Sequence, residues 1–287
     1  MKVLAVKPFG FCSGVKRALR LLAEAKRRYK KIYTLGEIIH NRPVVEKLKG
    51  EGIFPLKKVR KNLKGVLAIR THGISSRHLK KIEKYGIRLV DTTCPYVRRV
   101  KEIVEMLLAD GYRVVVLGDQ DHPEVISLME DLGERGFLFS TNPSQKRDLT
   151  FLGKWDKVGI VCQTTLAKEF MDSALSEIVK NDFSEIRVFN TICREVFWRQ
   201  KMFKEVMGKV DAGLVAGGKE SANTRRLYEI GSLSGKPIFL LEGEDELLPL
   251  IERLKELNVE SVGFVSGAST PDDFCSWVIK NLKEEGK

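Results

Sequence analysis

Long apolar runs are missing from this 287-residue chain. No stretch approaches the roughly 18 consecutive apolar residues that a membrane-spanning helix needs, and no basic-then-apolar leader opens it. The expectation is a cytoplasmic protein with no membrane association. Cysteines are few and far apart: there are five, an odd number, and Cys12 has no neighbour to pair with. That argues against the disulfide framework of a small secreted domain. Aromatic residues make up only 8% and no basic segment is interleaved with them, so the charge of +12 does not read as a nucleic-acid surface. Low-complexity segments and long linkers are absent as well.

What is present suits an ordinary globular protein of two or three domains, with 43% hydrophobic residues and regular Gly punctuation. The positive charge favours acidic partners: a phosphorylated small molecule, or an acidic electron carrier. Part of it lies in runs such as Lys26-Arg27-Arg28 and Lys57-Lys58, which read as solvated surface.

Short β-branched runs alternate with helical patterns throughout. Strands are predicted at 66–69, 113–117, 158–161, 212–216, 237–241 and 261–265, and helices at 15–25, 97–108, 169–179, 196–207 and 247–257. Such alternation predicts βαβ units and parallel sheets. The segments IRLVDTTC, ending at Cys94, and IRVFNTIC, ending at Cys193, resemble each other and suggest related α/β lobes.

Cys12, Cys94 and Cys193 each stand where an apolar run gives way to a helical pattern, 82 and 99 residues apart. Pro95 is a favoured first helical residue, and Gly111 and Gly208 are stop signals for the helices after Cys94 and Cys193. A thiolate at a helix N-terminus is stabilised by the macrodipole and by free N–H groups. Three such thiols suggest a metal centre with an open position, either zinc or iron–sulfur. Cys162 and Cys275 lack that setting and read as buried small hydrophobes.

Of the four histidines, His40, His72 and His122 follow apolar runs, where parallel sheets place ligands, and His78 reads as an exposed helix residue. His122-Pro123-Glu124 sets an imidazole and a carboxylate side by side, able to relay a proton to a leaving hydroxyl. A turn-and-cap role is the competing reading. Three polar loops, Gln163-Thr164-Thr165, the stretch from Gly217 to Thr224 and the stretch from Gly267 to Pro271, suit anionic oxygens but would equally serve as helix caps.

Taken together these segments resemble the LytB family of 4-hydroxy-3-methylbut-2-enyl diphosphate reductases. The matches run in order from Gly10-Phe11-Cys12-Ser13-Gly14 through Ile38-Ile39-His40-Asn41, Arg70-Thr71-His72-Gly73, Thr93-Cys94-Pro95-Tyr96-Val97, Asp121-His122-Pro123-Glu124-Val125, Gln163-Thr164-Thr165 and Thr191-Ile192-Cys193 to Gly267-Ala268-Ser269-Thr270-Pro271.

The resemblance implies three α/β lobes with mainly parallel sheets, arranged as a trefoil around a central iron–sulfur cluster. The lobes would be 13–93, 94–192 and 193–270, the last joined by strand 1–12, with 271–287 as a C-terminal helical segment. It implies one [4Fe-4S] cluster per chain on Cys12, Cys94 and Cys193, with one open iron. His40, His72, His122, Thr164, Ser221, Ala222, Asn223 and Ser269 would bind substrate, Ala222 through its backbone alone. Glu124 would donate the proton, with His122 and Thr164 beside it. The implied reaction is reductive dehydroxylation of the allylic diphosphate to isopentenyl and dimethylallyl diphosphates, with electrons from ferredoxin or flavodoxin. The chain departs from the family pattern at Lys7-Pro8-Phe9, at Ala222, and at Val196, where a threonine is usual. A cluster-dependent dehydratase and a nucleic-acid-binding module are the competing functions.

Overall fold

The computed structural model describes residues 1–142 and 149–284. These divide into two compact units, one built from 1–19, 37–54 and 194–287, the other from 20–36 and 55–193.

The first stretch of chain holds β1 (Lys2–Ala5), α1 (Ser13–Lys26), β2 (Ile32–Leu35), α2 (Arg42–Gly50), β3 (Ile53–Leu56), β4 (Val66–Ile69), α3 (Ser76–Lys84) and β5 (Arg88–Asp91). The middle stretch holds α4 (Pro95–Ala109), β6 (Arg113–Gly118), α5 (Pro123–Leu132), β7 (Gly136–Ser140), β8 (Lys157–Cys162), α6 (Lys168–Ile178) and β9 (Glu185–Phe189). The last stretch holds α7 (Arg194–Met207), β10 (Ala212–Ala216), α8 (Ala222–Ser232), β11 (Ile238–Leu241), α9 (Leu247–Glu256), β12 (Ser261–Ser266) and α10 (Asp272–Glu284).

Three four-stranded sheets result, ordered β3-β2-β4-β5, β7-β6-β8-β9 and β11-β10-β12-β1. The pairings of β2 with β4, β4 with β5, β6 with β7 and β8, β8 with β9, β10 with β11 and β12, and β12 with β1 are all parallel. The α/β class expected from the alternating pattern is the observed one. Each sheet repeats one scheme: the first strand in the chain lies second, between its successor and the third, and a fourth strand closes the far edge. In the third sheet that fourth place is taken by β1, from the other end of the chain, with Lys2 opposite Ser261 and Ala5 opposite Phe264.

Burial follows position in the sheet. The central strands β6, β8 and β10 are continuous apolar runs buried on both faces, as parallel strands covered by helices must be. The fourth strands are partly exposed, with β9 alternating along its length. Pro55 lies in β3, an edge strand, where a missing N–H costs no ladder bond.

Each fourth strand leads into one cysteine and then a helix. β1 precedes Cys12 and α1, β5 precedes Cys94 and α4, and β9 precedes Cys193 and α7. The resemblance between IRLVDTTC and IRVFNTIC is therefore a shared position in two sheets.

Candidate active site

Each cysteine turn is tied to the loop that follows the third strand of its sheet. Cys12 donates its N–H to Ala268 O at 2.9 Å, Cys94 to Thr71 O at 3.0 Å and Cys193 to Thr164 O at 2.9 Å. Those carbonyls belong to Thr164 and to the neighbours of Ser269 and His72. Each thiol-bearing turn is thus bonded to a residue expected to touch substrate or to that residue's neighbour in the chain. Cys94 is itself the N-cap of α4, with Pro95 in the first turn as expected, and Gly111 (φ +83°) follows that helix.

The Cys12 thiol receives the Val15 N–H at 3.4 Å. Burial pushes its pKa up, against the pull of the Val15 N–H and, more weakly, of Arg199, while Glu195 adds to the rise. Glu195 accepts the N–H and hydroxyl of Ser13, the first residue of α1. Cys162 and Cys275 are fully buried, the first ending β8 and the second within α10 among apolar core side chains, and burial pushes their thiols up to about 12 and about 11.

Within the unit formed by 1–19, 37–54 and 194–287, the Ser269 hydroxyl donates to His40 O at 3.2 Å. Gly218 packs so closely against the same peptide that a Cβ there would stand 2.5 Å from His40 O. Ser221 caps α8, accepting the Thr224 N–H at 3.4 Å, and Asn41 caps α2, accepting the Val44 N–H at 3.1 Å. The capping role weighed for these polar loops is real. It leaves Asn223 uncommitted: it is buried, and neither side-chain polar atom has a hydrogen-bond partner. A buried amide in that state is costly unless a ligand completes it.

Within the other unit, the His72 and His122 rings meet edge to face, centroids 5.2 Å apart. His122 is the N-cap of α5 and its Nδ1 accepts the Glu124 N–H at 3.3 Å, so the cap reading of this segment holds too. Glu124 is fully buried and faces Thr164, whose N–H reaches Oε1 at 2.9 Å and whose hydroxyl reaches Oε2 at 2.7 Å. Burial pushes the Glu124 carboxyl up to about 7, against the pull of those two donors and of Lys101. A carboxyl tuned there can hold or release a proton near neutrality. His78 lies half-exposed on α3, its Nδ1 2.9 Å from the Ser75 hydroxyl and 3.3 Å from Glu130 Oε2 on α5.

Cys12, Cys94 and Cys193 each directly precede a helix, and thiols are soft donors that suit zinc or an iron–sulfur centre and not a hard cation. Among the described residues no three His, Cys, Asp or Glu side chains form a single-ion site.

Residues 3–283 match the family model described as LytB protein. The chain belongs to the LytB family. The 4-hydroxy-3-methylbut-2-enyl diphosphate reductase of Pelobacter propionicus is 39% identical over 282 residues, covering 98% of this chain and 96% of the relative. The enzyme of the same name from Aquifex aeolicus is 38% identical, covering 98% and 94%. A solved structure of (E)-4-hydroxy-3-methyl-but-2-enyl diphosphate reductase, termed the terminal enzyme of the non-mevalonate pathway, superposes with a TM-score of 0.70 at 36% identity, covering 99% of this chain and 100% of that one. The Plasmodium falciparum reductase structure superposes with a TM-score of 0.87 at 26% identity, covering 98% and 88%.

The segment Lys7-Pro8-Phe9, which departs from the LytB pattern, is held at both ends. The Trp198 indole donates to Lys7 O at 3.0 Å, and the Phe9 ring packs edge-on against Phe264, centroids 6.2 Å apart. Val196 is buried, so the methyl that stands where a hydroxyl is usual is out of solvent. Sequence reasoning missed two cations. Lys101 bonds Ser127 at 2.9 Å and Asp131 at 3.2 Å and also reaches Ile74 O, tying α4 to α5 and to the His72 loop. Arg199 is 1% exposed and grips the Cys12 loop. Among the described residues no helix is long and apolar enough to cross a membrane.

Proposed function

We infer that this chain is an iron–sulfur 4-hydroxy-3-methylbut-2-enyl diphosphate reductase. The observation that carries the reading is the full-length LytB match, residues 3–283, joined to a buried carboxyl poised at about 7. The reaction takes two electrons and two protons, breaks the C4–oxygen bond and releases water with isopentenyl and dimethylallyl diphosphates.

Cys12, Cys94 and Cys193 are the proposed ligands of one [4Fe-4S] cluster with one open iron, and the lobes would meet around it as a trefoil, with boundaries near Cys94 and Cys193. That group would supply electrons one at a time and a Lewis-acid site for the substrate hydroxyl. The chain's own residues do the rest. His40, His72, Ser221, Asn223, Ser269 and the backbone of Ala222 bind the diphosphate, with the unpartnered Asn223 amide as the best-supported member of the set. Glu124, held in its protonated form by burial, gives a proton to the departing oxygen. Thr164 fixes the carboxyl's orientation through two hydrogen bonds, and His122 aligns the helix that carries it. Electrons come from an acidic carrier such as ferredoxin or flavodoxin, which the charge of +12 would attract.

The test is anaerobic turnover of the diphosphate by reconstituted protein with a strong one-electron reductant. Reductant-dependent formation of both five-carbon diphosphates is the expected result. Conversion that proceeds without reductant would favour a cluster-dependent dehydratase instead.

A further inference from the structure

The three cysteine turns share a backbone bond to the neighbouring loop but differ in how they are fastened to the neighbouring strand. Two residues before Cys94, the Thr92 hydroxyl donates to Ile69 O, the last carbonyl of β4; two residues before Cys193, the Thr191 hydroxyl donates to Cys162 O, the last carbonyl of β8. Each threonine fastens its turn to the neighbouring strand. Two residues before Cys12 stands Gly10, at φ +84°, where a Cβ would come within 2.5 Å of Asp272 Cγ, so no threonine fits.

Arg199, from α7, occupies that place. Its Nη1 donates to Ser266 O at 2.9 Å, the last carbonyl of β12 and so the counterpart of Ile69 O and Cys162 O. The same nitrogen reaches Ser266 Oγ at 3.2 Å and Gly267 O at 3.0 Å, while Nη2 reaches Gly10 O at 2.8 Å. The guanidinium therefore bridges the Cys12 turn and the loop that runs on to Ser269. Unlike a threonine it brings a full charge, and it brings it where water does not reach, at 1% exposure. All four acceptors are neutral, and Nε is buried with no partner. A buried cation with neutral acceptors is costly unless an anion stands near. The bond from Nη2 to Gly10 O sets the charge on the turn that carries Cys12, two residues from the thiol in the chain. Glu195 is already engaged with both Ser13 donors.

We propose that Arg199 is a positioning residue for the reductase, replacing the threonine tether of the other two turns and setting a buried positive charge beside the Cys12 ligand. This rests on the reading of Cys12 as a cluster ligand. Here the tether to the neighbouring strand is a buried cation, where Thr92 and Thr191 are neutral, so Arg199 acts on the electron affinity of the centre as well as on the loop geometry. Loss of the cation makes the centre harder to reduce. Loss of the fork loosens the segment carrying Ser269 and weakens diphosphate binding.

The test uses reconstituted holoprotein carrying R199M, R199K or T191V, with the midpoint potential and the kcat and KM for the diphosphate measured for each. R199M should disfavour reduction about tenfold, a shift of about 59 mV to more negative potential. T191V removes a neutral tether and should stay within about twofold of the wild type in that equilibrium. R199K keeps the charge without the fork, so its potential should also stay there while KM rises about fivefold, the worth of one hydrogen bond. An unchanged potential in R199M, or an equal shift in T191V, overturns the charge role. If R199M does not hold a cluster, R199K decides: wild-type KM in R199K overturns the tether, and a potential shifted tenfold there overturns the charge role. Wild-type protein that takes up no iron would sink the functional reading itself, which a failure confined to Arg199 would not.

Discussion

Thr164 meets Glu124 twice, once with its backbone N–H and once with its hydroxyl, so each carboxylate oxygen has its own donor. The same residue's carbonyl accepts the N–H of Cys193. A single threonine thus orients the proposed acid and anchors one proposed ligand turn.

Replacing Glu124 by Gln should lower turnover by a factor of about 10² to 10⁴, the usual worth of a positioned general acid. It should also change how stability depends on pH. The Glu124 carboxyl is raised from 4.5 to about 7 in the folded protein. The unfolded chain releases this proton from about pH 4.5 upward, whereas the folded chain keeps it until about 7. Stability from this group is therefore present in acid and lost between those two values, by about 3 kcal/mol. Denaturant unfolding of the cluster-free protein at pH 5 and pH 8 checks this: E124Q should gain on the wild type at the higher pH, and parallel losses would refute it.

Thr164→Val keeps the N–H bond to Glu124 and removes the hydroxyl bond, which favours the ionised form. The carboxyl pKa should rise further, by about one unit for a bond to a charged group worth about 1.4 kcal/mol. The alkaline limb of the pH–rate profile should move upward by that amount while maximal kcat falls. A limb that stays still or moves to acid would mean that the hydroxyl does not favour the ionised form.

Serine at position 12, 94 or 193 should abolish stable cluster uptake, read as iron per chain and visible absorbance after anaerobic reconstitution. Alanine at Cys162 or Cys275 should leave both readings at wild-type levels, with only a modest loss of stability from the small cavity. Loss of iron in either alanine variant would contradict the assignment of those thiols to the core.

The rate of reduction by an acidic carrier protein should fall as ionic strength rises from about 0.01 to 0.15 M, over which the Debye length shortens from about 30 to about 8 Å. An uncharged mediator should show no such slope. Equal slopes for the two donors would remove the role given to the net charge of +12.

The sequence was most legible where apolar runs are uninterrupted. The strands predicted at 113–117, 158–161 and 212–216 agree with β6, β8 and β10 to within a residue or two at each end. Short or interrupted strands were harder. β2 and β3 have four residues each, β3 contains a proline, and β7 opens on Gly136, so none carries a clear strand signal. The thiol-bearing turns could be found because strand and helix signals meet at each cysteine. Arg199 could not be singled out by local pattern, since an arginine on a helix reads as solvated. Its burial depends on Gly10 and Ser266, 189 and 67 residues away in the chain. The tethers from Thr71, Thr164 and Ala268 are backbone bonds, which no side-chain pattern announces.

The place of β1 in the third sheet has a consequence for biogenesis. Lys2 pairs with Ser261, so the strand leading to Cys12 leaves the ribosome long before its partner exists. The other two thiol turns join neighbours made shortly beforehand, Cys94 beside Thr71 and Cys193 beside Thr164. Cys12 is therefore the last of the three to be fixed in position, and a growing chain holds two ligand turns in place while the third awaits β12. Were the three thiols to hold one cluster as proposed, its assembly would wait for near-completion of synthesis, with the earliest cysteine as the final latch.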